Sequence, residues 1–421
     1  QMYNSIRSNI PKRLLMGPWT HLYPDVSVPG PRIDYLHEML KWFDQWLKGI
    51  ETGVLKEPPI TLYVRSYDKP ARKRNTDAGK WRHENEWPPA RVKDTPFHLH
   101  PKGALFNDPS PASSKTDHDN YEYNPSVGTS AGLWNGMGWD TCLPEDQKID
   151  ESLSLTYTSN PLQEDCEVTG IPSAVLHVSS TTDIASFVVK LNDVAPDGTS
   201  VQVSRGILNA THRSSHESPS PLKPGEIYEV RIKLNPVSYV FTKEHKIRIA
   251  IASADFPEMW PTPKNAVNSI YRIATYPSRI MLPVAPLQNP PLSMPELLPS
   301  KTINIPPGGL KKWDVIRDGV NSRVSVNLVT KGELIVDDAT RSTHESKVII
   351  EVSVKNPAEA CTKAHFSSTF RSPVDVTRME AYSVVKSDEQ AFHTNSILKI
   401  LVNNIPYHNR SWSRSFPRKF L

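Results

Sequence analysis

The stretch LLMGPWTHLYPD, residues 14–25, ends a short apolar run on Gly17-Pro18 and then carries Trp19 and His21 into a loop. The run KRLLM (12–16) lies between Pro11 and that Gly-Pro pair, which reads as a short buried strand. Beyond the loop, PRIDYLHEMLKWFDQWLKG (31–49) repeats Ile33, Leu36, Met39, Leu40, Phe43, Trp46 and Leu47 at three- and four-residue steps. That spacing puts one apolar face on a helix that starts near Pro31 and stops at Gly49. PPITLYVRS (58–66) is rich in β-branched and aromatic residues and reads as a second strand. Strand, loop, helix, strand is α/β organisation, and it fills the first 90 residues.

From about residue 91 the pattern changes to period two. SAVLHVSS (173–180), SFVVKLNDV (186–194), SVQVSRGIL (200–208), EIYEVRIKL (226–234), HKIRIAIAS (245–253), SKVIIEVSV (346–354) and ILKILVNN (397–404) alternate like strands. Pro-Asp-Gly (196–198) and Lys-Pro-Gly (223–225) supply turns. The chain holds 39 prolines against 18 glycines, which suits many strands joined by Pro-rich loops. An antiparallel sandwich or jelly roll follows. The Pro-rich span 282–308 reads as a long irregular connection.

Composition excludes several functions. A net charge of +4 over 421 residues, without basic runs interleaved with aromatics, does not suggest nucleic-acid binding. No apolar segment approaches the roughly 20 residues that span a bilayer. The three cysteines, Cys142, Cys166 and Cys361, are too scattered for a zinc site or a disulfide scaffold. A reducing, cytoplasmic setting is the expectation. MYNSIR (2–7) reads as the tail of an amphipathic helix, so the domain is expected to begin upstream of residue 1. Two glycosylation sequons occur, at Asn209 and Asn409.

GPWTH (17–21), WFDQWLKG (42–49), WRHENEWPP (81–89), YTSNPLQEDCEVTGIPSAVLHVSS (157–180), KLNDVAPDGTSVQVSRGILNATHR (190–213), HKIRIAIASADFP (245–257) and the closing NRSWSRSFPRKF (409–420) together resemble the CocE/NonD hydrolases, the peptidase S15-like or Xaa-Pro dipeptidyl-peptidase group. The resemblance implies an α/β-hydrolase with a cap, followed by a jelly-roll domain of galactose-binding-like fold. It makes His21 the base of a Ser-Asp-His triad. In α/β-hydrolases the serine and aspartate precede the histidine along the chain. Only twenty residues precede His21, none is an aspartate, and Ser5 and Ser8 lack elbow glycines. The expected fold is therefore mainly β. Residues 1–90 are a C-terminal α/β-hydrolase remnant, and 91–421 are the jelly-roll domain. Glu244 stands where the family more usually has glycine.

The function this implies is the C-terminal part of a serine hydrolase cleaving ester, amide or Xaa-Pro peptide bonds. The alternative is an inactive β-sandwich binding module with a vestigial hydrolase segment. The expected partner is a small ester, amide or peptide substrate of the complete enzyme. No cofactor, metal, nucleic acid or membrane is expected, and a homo-oligomer is left open.

Other residues invite chemistry less strongly. Gly128-Thr129-Ser130-Ala131-Gly132 matches the nucleophile-elbow pattern but lacks a strand before it and a helix after it. His98 and His100 form an H-x-H without a third ligand. Asp193, Asp197 and Gly198 read as a tight turn rather than a calcium loop. Asp25, Asp34 and Asp44 read as solvated carboxylates. Trp81, Trp87, Trp134, Trp139 and Trp260 read as packing residues rather than a sugar platform.

Overall fold

A computed structural model of the chain describes every residue except 1, 8, 110–116, 133–142, 287–292, 302–307 and 338. Cys142, Trp134, Trp139 and Ser8 lie outside the described residues. Helix α1 (Met2–Ser5) opens the chain, and Lys12 Nζ donates to the carbonyls of Tyr3 and Ile6. A strand–helix–strand unit follows: β1 (Leu14–Met16), helix α2 (Tyr35–Leu47) and β2 (Ile60–Ser66), with β1 and β2 paired in parallel. Asp34 caps α2, its Oδ1 accepting from the His37 amide. Ile33, expected in the helix, lies just before it, buried and bridged to Pro299.

The strands that follow are β3 (Gly79–Glu84), β4 (Lys93–His100), β5 (Ala104–Phe106), β6 (His118–Glu122), β7 (Leu155–Thr158), β8 (Cys166–Gly170) and β9 (Ser173–Ser180). Then come β10 (Ser186–Val194), β11 (Ser200–Asn209), β12 (Tyr228–Lys233), β13 (Val237–Phe241), β14 (Lys246–Ala252), β15 (Val267–Tyr271) and β16 (Arg279–Ala285). A short helix α3 (Lys148–Glu151) precedes β7. All sixteen strands share one hydrogen-bonded network. One arm (β7, β14, β10, β11) and another (β12, β9, β15, β6) do not pair with each other, yet their apolar side chains meet in one core. Leu176, Phe187, Leu191, Ile232, Ile249 and Ile270 are all fully buried in it. The β-sandwich expected from the period-two pattern is thus present.

β2 also pairs in parallel with β13, so the strand–helix–strand unit and the sandwich share a sheet. The cut expected at residue 90/91 falls between β3 and β4, inside that network.

Residues beyond 307 form a second, separate sheet. β17 (Gly308–Asp318), β18 (Arg323–Ile335), β19 (Arg341–Ser353), β20 (Ala360–Arg371), β21 (Val376–Ser387), β22 (Ala391–Val402) and β23 (Ile405–Pro417) run as an antiparallel meander in chain order. Phe256 and Trp260 of the sandwich pack on its Val324, Val352 and Ala360. Of these seven strands, periodicity alone marks only parts of β19 and β22.

The turn before β14 accounts for the unusual Glu244. Its φ is 71°, a left-handed conformation that costs a non-glycine residue about 1–2 kcal/mol. Glu244→Gly is therefore expected to stabilise the chain by about 1 kcal/mol, read as a raised denaturant midpoint at unchanged slope. A lowered midpoint would show that the Glu244 side chain contributes more than its backbone strain costs.

Candidate functional site

The loop after β1 is built around Trp19. Its indole donates to the Pro31 carbonyl at 2.8 Å, and its ring meets Trp81 at 5.7 Å. Trp81 in turn meets Tyr63 of β2 edge-on. A Cβ on Gly17 would lie 2.6 Å from the Trp19 ring, so only glycine lets the indole fold back. Thr20 Oγ1 donates to Val28 O and ties the loop's two limbs together. His21 follows these anchors. It is exposed and has no hydrogen-bond partner among the described residues. The anchored loop thus holds out an imidazole with both ring nitrogens free for a partner.

Among the described residues none of the three nearby aspartates bonds the His21 ring. Asp34 caps α2, and Asp44 pairs with Lys48 at 2.7 Å. The Asp25 carbonyl accepts from Ser300 Oγ. Asp44 is largely covered rather than solvated, which corrects the reading of its side of the helix.

The orientation of α2 is inverted relative to a free-standing fold. Leu36, Met39, Leu40, Phe43, Trp46 and Leu47, the apolar stripe, are all exposed, from 44% to 77%. The polar side faces the protein: Lys41 pairs with Glu57 at 2.8 Å, Arg13 with Glu57 at 2.7 Å, and Thr52 Oγ1 donates to Lys41 O. Six large apolar side chains on one helix face exceed what scattered surface residues present and mark a contact surface. Leu40→Ser with Phe43→Ser is expected to leave the unfolding free energy within about 0.5 kcal/mol while lowering aggregation, measured by light scattering. A large stability loss would mean that the stripe is already buried.

The remaining candidates resolve as follows. Gly128 packs on the Phe256 backbone, Ser130 accepts from Arg317, and residues 123–127 before them are loop and turn rather than strand, so GTSAG is not an elbow. His100 contacts the Asp108 carbonyl at 2.9 Å, and burial pushes the His98 imidazole below its ordinary value, with Arg279 adding to the effect. Among the described residues no group of three or more His, Cys, Asp or Glu side chains could hold a metal ion. Asp197 accepts from the Thr199 amide and Gly198 has φ 82°, as the tight turn requires. Asp193 is instead fully buried, accepting from Tyr239 Oη at 2.8 Å and facing His245 Nδ1 at 2.8 Å. Burial pushes the Asp193 carboxyl up, against both of those contacts. This His–Asp pair has the spacing of a base and its orienter. The group against the His245 ring is the Tyr67 ring, and among the described residues no serine or cysteine bonds it. Sequence reading missed the pair because Asp193 lies on β10 and His245 in the turn before β14, 52 residues further along the chain. Trp87 packs on Ile60, Leu62 and Val64, and Trp260 donates to Ser387 Oγ, so neither builds a platform.

Residues 52–281 match the X-Pro dipeptidyl-peptidase C-terminal non-catalytic domain. The chain belongs to this family. A proposed serine esterase of Mycobacterium bovis is 32% identical over 298 residues, 64% of this chain and 45% of that protein. Cocaine esterase of Rhodococcus is 29% identical over 318 residues, 66% of this chain and 52% of that protein. An aminopeptidase from a marine sediment Thaumarchaeota archaeon superposes with a TM-score of 0.53 at 23% identity, over 65% of this chain and 49% of that one, a likeness of fold alone. The resemblance read from the sequence is borne out. The chain spans about half the length of the curated relatives it matches. The family match ends before β17, so the closing NRSWSRSFPRKF and the whole second sheet lie outside it. Among the described residues no helix is long and apolar enough to cross a membrane.

Proposed function

We propose that this chain is the C-terminal portion of a serine hydrolase that cleaves ester or amide bonds, Xaa-Pro peptide bonds among them, and that His21 is its general base. The observation that carries this reading is the pairing of an anchored, exposed His21 with the bare apolar stripe of α2. Both face outward from the strand–helix–strand unit, as they would if the nucleophile-bearing part of an α/β sheet lay against them. The match covers only 45% and 52% of the two relatives named for esterase activity, which leaves room for that part. In the complete enzyme His21 would take the serine proton during acylation and return it to the leaving group, and an aspartate from the missing part would orient the ring. We place the end of the hydrolase-derived part near residue 50, where α2 stops and the family match begins, rather than at 90. The matched domain is described as non-catalytic, which fits a role in shaping the pocket rather than in the chemistry.

The test is the intact mass of the native protein in its source, coupled to labelling with a serine-directed fluorophosphonate. A species some 200–300 residues longer that takes the probe on a serine upstream of His21 supports the reading. A native species of 421 residues that does not label favours the binding-module alternative.

A further inference from the structure

The second sheet lies outside the family match, and one of its edges is left open. Among the described residues β23 pairs with β22 alone, on one side, and all thirteen of its own residues are exposed. Alternation along it gives one face His408, Arg410, Trp412, Arg414 and Phe416, and the other face Asn409, Ser411, Ser413 and Ser415. The hairpin 391–417 contains no aspartate or glutamate, although the whole chain has 45. Register carries the first face inward to Leu398 and Ile400 of β22 and to Ala381 and Met379 of β21, again without a carboxylate. Arg410 lies over the Trp412 ring at 5.1 Å, and neither Arg410 nor Arg414 has an ion-pair partner among the described residues. Two unneutralised guanidinium groups, four residues apart on one strand face and flanking an aromatic, lie beside a strand edge on which the outward backbone groups of alternate residues are unpaired.

We infer that β23 accepts an acidic extended peptide segment of a partner protein as an eighth strand. Backbone pairing would supply affinity, and alternate carboxylates opposite Arg410 and Arg414, with an apolar residue between them opposite Trp412, would supply specificity. The recognised pattern is acidic–x–apolar–x–acidic. The competing explanation is that the arginines only protect the edge from pairing with another copy. The open ladder fits a peptide better than a nucleic acid, because the second face of β23 carries no cation of its own to meet a polyanion.

The experiment uses the 421-residue chain and two fluorescent peptides, Thr-Asp-Thr-Val-Thr-Asp-Thr and the same sequence with lysine for aspartate, read by anisotropy. The aspartate peptide is expected to bind about tenfold or more tightly than the lysine peptide, and less tightly at high salt. Arg410→Glu with Arg414→Glu, both exposed, should reverse the preference, and N-methylation of alternate peptide amides should abolish binding. Equal binding of the two peptides, unchanged preference in the double variant, or tolerance of N-methylation would overturn the inference. So would tighter binding of oligo-dT than of the aspartate peptide, lost in the same variant. Self-association of the double variant without peptide binding would assign the arginines to edge protection alone.

Discussion

Replacing His21 with alanine in the complete enzyme is expected to lower kcat by about 10⁶-fold and to leave KM nearly unchanged. Serine hydrolases lose this much when the triad base is removed, because serine then has no acceptor for its proton. The loss falls on kcat because the imidazole works in the transition state and adds little to ground-state binding. On the proposed function the 421-residue chain alone should hydrolyse a p-nitrophenyl ester no faster than its own His21→Ala variant, because the proposed nucleophile lies upstream of it. Two results would sink the assignment: a loss of less than about tenfold in the complete enzyme, or a clear difference between the two forms of the short chain. The first would make His21 a loop residue near the site. The second would mean that a serine of this chain already works with it.

What the sequence discloses here is periodicity, and periodicity says which side of an element is apolar without saying what covers it. The stripe of α2 is plain in residues 36–47. That it faces outward depends on how the helix sits against the rest of the fold, which no local pattern reports. The loop motif GPWTH is legible for a similar local reason, since Gly17 and Trp19 contact each other. The second sheet is mostly hidden. Strands such as RSTHESKVIIEVS open with Arg, Ser, Thr, His and Glu on both faces, so only their Val/Ile segments look like β structure. Long-range polar contacts are hidden altogether. Asp193 is a turn neighbour in sequence, yet it belongs to His245 and Tyr239 in space, and Arg82 meets a carboxylate 85 residues away.

That last contact carries the second large prediction. Arg82 of β3 is buried and grips Glu167 of β8 with two parallel bonds of 2.7 Å, while its NH2 group also lies 2.9 Å from Glu84. Arg91 closes the ring, bonding Glu84 and lying 3.7 Å from Glu167. Thr169 donates to Glu167 at 2.7 Å. Two cations and two anions thus neutralise one another between the β2–β3 hairpin and the sandwich. Glu167→Ala or Arg82→Ala leaves a buried charge without its main partner and is expected to cost about 3–5 kcal/mol, measured by urea unfolding. The double change Arg82→Met with Glu167→Leu should cost less than either single change, because it removes both charges together. Burial alone would raise the Glu167 carboxyl, but Arg82, Thr169 and Arg91 outweigh it and hold the group below its ordinary value. A group with a lowered folded-state value contributes stability above its unfolded pKa and loses it as pH falls through the folded value. The chain should therefore lose stability on acidification from about pH 4.5 downward, and Glu167→Gln should flatten that part of the curve. If the single variants cost less than about 1 kcal/mol, water reaches the ring and the junction is held by the β2–β13 pairing instead.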